Sequence, residues 1–149
     1  MILKKFLIDS LLFSLLAIPF QYLFFILSGW RGLAKHYKAR KPDSMVLSRW
    51  EDGSVGSMSL YSILNVGICD EGLFLSLTPP IYPSLFIPWE DITEVSSSSF
   101  GDPRLDKYKL YIGNPHITII SLRKETLKPA RKILLTKFSN YETWWEYLL

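Results

Sequence analysis

The chain has 149 residues, 48% of them hydrophobic and 21% charged, with one cysteine, a formal charge of +3 and a pI near 8.9. That size holds one domain with at most an appendage. The apolar content excludes a disordered chain, and one cysteine excludes an internal disulfide framework. The charge is uneven. Residues 1–41 carry seven basic side chains against Asp9 alone, a net +6, whereas residues 42–149 hold ten basic and thirteen acidic ones, a net −3. A nucleic-acid binder carries its basic patch on the folded domain, so the high pI does not point to nucleic acid. The basic cluster Arg123, Lys124, Lys128, Arg131, Lys132 and Lys137 reads as the solvated face of a helix.

Residues 6–27 read FLIDSLLFSLLAIPFQYLFFIL, 22 positions in all. As a helix they measure about 33 Å, enough to cross a hydrocarbon core of about 30 Å. Asp9 lies one turn inside the start, Pro19 and Gln21 near the centre, and Trp30 just past the exit, where a membrane-belt aromatic belongs. A cleaved signal peptide is the first rival, yet no A-x-A-like site follows and the apolar run continues beyond Pro19. A buried soluble helix is the second, and it needs a partner around an almost wholly apolar cylinder. The expectation is an uncleaved anchor over residues 1–28. Lys4, Lys5 and the amino terminus precede the span, and Arg31, Lys35, Lys38, Arg40 and Lys41 follow it. The positive-inside rule then places the N-terminus outside and the body in the cytoplasm.

Residues 29–44 read as a basic juxtamembrane helix and linker. Trp30, Leu33 and Tyr37 fall on one side of a helix, and the cations fall largely on the others. The expected membrane-interface residues are Trp30, Arg31, Lys35, Lys38, Arg40 and Lys41, lying on headgroups with basic side chains toward anionic lipid. The plainer reading is a set of stop-transfer charges with no lipid preference. Pro42-Asp43-Ser44 ends the segment as a linker.

The period changes in the body, residues 45–149. The Gly-bearing stretch 53–57 reads as a flexible loop before the first strand. Residues 58–68 are extended, Asp70-Glu71-Gly72 turns the chain, and 73–77 returns, which predicts a hairpin. Residues 78–84, TPPIYPS, form a proline-rich loop. Residues 85–87 form a short strand that Pro88 demotes to an edge or an end, continued by 89–92. Residues 100–103 turn, 107–112 alternate as a strand, and 116–122 are β-branched and extended. Thr126 reads as the N-cap of a terminal helix with Pro129 in its first turn, and Ser139-x-x-Glu142 offers a second start. The expected fold is α+β: a transmembrane helix, six or seven antiparallel strands in a small barrel or curved sheet, and a C-terminal helix capping it.

The hairpin Gly72-Leu73-Phe74-Leu75-Ser76 followed by Leu85-Phe86-Ile87-Pro88-Trp89-Glu90-Asp91-Ile92 resembles the PH-like and GRAM-like domains. There a Gly-Leu hairpin precedes an Ile-Pro-x-x-Asp/Glu-Ile strand, and a C-terminal helix plugs the barrel. Gly29-Trp30-Arg31-Gly32-Leu33-Ala34 and Tyr37 before such a body resemble small membrane-anchored bacterial proteins. The resemblance implies a PH-like barrel, with a phosphoinositide, a peptide or a protein as partner. The basic hairpin loop of phosphoinositide binders has no match, since the turn here is acidic.

No catalytic pattern emerges. His36 and His116 lie 80 positions apart with no other ligand at metal spacing. Cys69 precedes two acidic residues, which do not activate a thiol as a nucleophile. Glu90 and Asp91, adjacent on a strand, point to opposite faces. No catalytic residue, cofactor or metal is therefore expected. Trp144 and Trp145 are neighbours about 100° apart on a helix, so one is the candidate for a partner contact. The expected function is a non-enzymatic docking module at the membrane, with an unidentified protein partner. The alternative is a binder of anionic lipid headgroups through the basic segment.

Overall fold

The computed structural model describes residues 1–98, 107–113 and 115–138. It contains helices α1 (Ile2–Leu27) and α2 (Gly29–Tyr37), then strands β1 (Val46–Val55), β2 (Met58–Ile68), β3 (Gly72–Leu77) and β4 (Leu85–Pro88). Strands β5 (Ile92–Ser98), β6 (Lys107–Ile112) and β7 (Thr118–Arg123) follow, then short helices α3 (Lys124–Leu127) and α4 (Arg131–Lys137).

α1 buries none of its residues and is long and apolar enough to cross a membrane. The strands form one antiparallel sheet, ordered β4-β3-β2-β1-β7-β6-β5. Period-two alternation drives the rolling of this sheet. In β6 it buries Tyr108, Leu110 and Ile112, and in β7 it buries Thr118, Ile120 and Leu122. The edge strands β4 and β5 are joined by a single 3-10 turn, Trp89–Asp91, so the two edges lie close and the sheet is nearly closed. Trp89 is buried at that turn, its indole N–H donating to the Cys69 carbonyl at 2.9 Å. The Lys137 ammonium of α4 donates to the Trp89 carbonyl, which ties the helix following the sheet to the same corner.

The structure differs from the sequence reading in three places. Residues 53–55, read as a loop, belong to β1, and only Gly56 and Ser57 turn, with Gly56 at φ +59°. Residues 89–91 turn rather than extend, so Glu90 and Asp91 do not sit on a strand. Thr126 is not an N-cap: the helix starts at Lys124, Thr126 is buried inside it, and Pro129 falls in a 3-10 turn between α3 and α4. The second helix start at Ser139, the turn at 100–103 and Asn114 lie outside the described residues.

The β1–β2 ladder is interrupted twice, between Ser48 and Glu51 and between Glu51 and Gly53. Trp50 and Ser62 occupy the left-handed region at these breaks, with φ of 54° and 57°. For a non-glycine residue that costs on the order of 1 kcal/mol or more, and hydrogen bonds hold both residues there. The buried Asn65 accepts from the Trp50 N–H at 3.4 Å and donates to the Ser76 and Thr78 hydroxyls at 3.3 and 2.7 Å. Asp52 accepts from the Ser62 N–H at 2.7 Å. Asn65→Ala should lower stability in chemical denaturation of the detergent-solubilised chain by about 1–3 kcal/mol, because it strands buried polar groups. Asp52→Ala, at an exposed bond, should cost less.

Candidate membrane-facing site

Ser28 alone separates the two N-terminal helices. Its extended backbone, φ −74° and ψ 153°, stops α1, and its N–H donates to the Phe24 carbonyl at 2.7 Å. Its hydroxyl donates to the Phe25 carbonyl at 3.0 Å and accepts from the Trp30 N–H at 3.4 Å, capping α2. No linker intervenes, so the direction of α1 is fixed relative to α2.

α2 is in turn fixed to the barrel. Trp30 and Leu33 are fully buried in the core cluster. The Trp30 indole N–H donates to the Pro83 carbonyl at 2.9 Å, and the Ala39 N–H donates to the Ser84 carbonyl at 3.1 Å. The Tyr37 hydroxyl donates to Asp91 at 2.7 Å. Burial, then this bond and the nearby negative charge, push the Tyr37 pKa up to about 12. Close approach at the start of α2 requires glycine, since a Cβ on Gly29 would lie 2.0 Å from the Thr118 hydroxyl.

The expected interface residues therefore divide. Trp30 is not available to headgroups. The apolar side of α2 faces the barrel, and an indole of this size gains more from a dry, hydrogen-bonded core than from a half-wet interface. Arg31, Lys35, Lys38, Arg40 and Lys41 are all exposed. Arg31 and Lys35, one helical turn apart, line a groove of about 550 Å³ with Leu27, Ser57 and Thr118, at the point where α1 ends. Trp144 and Trp145 lie outside the described residues.

Two features escaped the sequence reading. Trp50 and Tyr61 are 64% and 72% exposed, beside the breaks in the β1–β2 ladder. The proline-rich loop reaches back along α1: the Tyr82 hydroxyl donates to the Gln21 carbonyl at 3.1 Å, and the Tyr82 ring lies 4.7 Å from that of Phe25. Prolines announce a loop but not what it packs against.

Among the described residues no group of three His, Cys, Asp or Glu is placed to hold a metal ion. His36 and His116 are exposed and lie against Tyr37 and Tyr111, with ring centroids 6.0 and 5.2 Å apart. The Cys69 thiol is half-buried and donates to the Gly72 carbonyl at 3.4 Å. Comparison with protein families, curated proteins and solved structures gives no match.

Trp30→Ala should destabilise the chain by about 3–5 kcal/mol in chemical denaturation, whereas Arg31→Ala and Lys35→Ala should stay within about 0.5 kcal/mol. The raised Tyr37 pKa makes its contribution to stability complete below the ordinary tyrosine pKa of 10 and lost as pH climbs toward about 12. In an ultraviolet tyrosinate titration, Tyr37→Phe should delete a late-titrating component.

Proposed function

We propose that the chain is a single-pass membrane protein whose PH-like barrel is a non-enzymatic docking module on the cytoplasmic face, with an unidentified protein as partner. The apolar, unburied α1 supports the anchor, and the excess of cations after it supports the orientation. The sheet of short antiparallel strands followed by a helix supports the PH-like reading. The observation that carries docking is the exposure of Trp50 and Tyr61. Both are large aromatics on neighbouring strands, and Trp50 itself sits in a costly backbone conformation. Aromatics are the side chains that most often anchor protein interfaces.

A second reading is favoured by the groove at the end of α1. Its cations Arg31 and Lys35 stand where anionic headgroups would lie, and each cation near such a surface contributes on the order of 1 kcal/mol.

Purification in mild detergent should return a stoichiometric protein partner that Trp50→Ala with Tyr61→Ala removes without changing the thermal melt. A monomer without a partner counts against docking. In nanodiscs, the lipid reading requires stability that rises with anionic lipid and falls with salt. Arg31→Ala with Lys35→Ala should abolish that increment. A C-terminal tag should resist external protease in intact cells.

A further inference from the structure

We propose that the loop between β3 and β4, residues 78–84, is a second membrane-contact element that enters the edge of the hydrocarbon beside α1. This rests on the reading of α1 as a span.

Depth comes first. Counted from Phe6, after Lys5, a 20-residue span of about 30 Å ends at Phe25. Tyr82 bonds the carbonyl of Gln21, four residues earlier, which lies about 6 Å inside that level. Tilt of α1 lengthens the stretch needed to cross and so leaves Gln21 no shallower. The Phe25 ring against Tyr82, and the Trp30 ring 6.0 Å from it, hold the loop to the helix and the helix to the core.

Composition agrees with depth. No charged residue occurs between Glu71 and Glu90. Positions 79, 80 and 83 are proline and bring no N–H into an apolar medium. Irregular backbone enters lipid only when its polar groups are satisfied within the protein. The Thr78 N–H donates to Ile63 at 2.9 Å and the Ile81 N–H to Pro79 at 2.8 Å. The Pro83 and Ser84 carbonyls accept from Trp30 and Ala39. Pro79, Pro80 and Ile81, 48% exposed, are left uncovered by the rest of the described residues. A single exposed isoleucine is ordinary on a soluble surface. An uncharged loop with three prolines, clamped to a membrane helix through Tyr82, is not.

The full chain with Ile81→Cys in a Cys69→Ser background, carrying an environment-sensitive fluorophore, is reconstituted in phosphatidylcholine nanodiscs. The label should be blue-shifted and quenched by nitroxide-bearing lipids, and a label at Tyr61→Cys should be quenched only by aqueous iodide. Pro80→Cys supplies a second label site should Ile81→Cys fail to fold. A label at Phe13→Cys separates the two claims. Lipid quenching at Phe13 with iodide quenching at both loop positions overturns the loop proposal and leaves the span intact. Absence of lipid quenching at Phe13 overturns both.

Discussion

The architecture depends on the burial of Trp30. Its ring fills the core, its indole N–H takes the carbonyl of Pro83, and its position one residue past the N-cap sets where α1 must leave the barrel. A long apolar helix that buries none of its residues and a barrel-like sheet have no intrinsic reason to share an orientation. Here the shared element is α2, nine residues long and anchored at both ends, by Trp30 at its start and by Tyr37 on Asp91 at its finish. The barrel corner at Trp89–Asp91 is bound again from the far end of the chain by Lys137. Burial lowers the Lys137 pKa, and Glu90 and Asp91 oppose that shift. The junction of the sheet edges thus receives contacts from both helical ends of the body.

Some of this was legible in the sequence and some was not. The stretch Lys107–Ile112 alternates without a break, and β2 with β3 brackets a Gly-bearing turn, so these elements follow from period and punctuation. β1 was invisible because its ladder is interrupted and Trp50 leaves the extended region, which erases the alternation that marks a strand. Its apolar face is also short, with only Gly53 and Val55 buried. Thr126 carries a capping residue's chemistry in a buried position, and only the backbone geometry reveals that the helix begins earlier.

The candidate site divided the same way. Amphipathicity identified a helix at 29–37 and its basic side. It did not identify what covers the apolar side, because a barrel core and a lipid interface favour the same residue types. Lipid covers such a face when nothing else fits it, and here Trp30 has both a cavity and an acceptor within the fold. The cations of that segment are exposed, while the Tyr82 contact with Gln21 joins residues 61 positions apart that share no pattern.

On the proposed reading of α1 as an anchor, the single-residue joint at Ser28 has a consequence for how a partner is met. A domain on a flexible tether sweeps a hemisphere above the bilayer, with its binding surface turning through all angles. A domain welded to its anchor keeps one height and one tilt, and turns only about the membrane normal. Its encounters become a search in two dimensions, so a partner that is also held at the membrane meets it far more often than one arriving from bulk solution. The docking surface proposed around Trp50 and Tyr61 would then discriminate by elevation as well as by chemistry: only a partner presenting its complement at the same distance from the lipid could engage it.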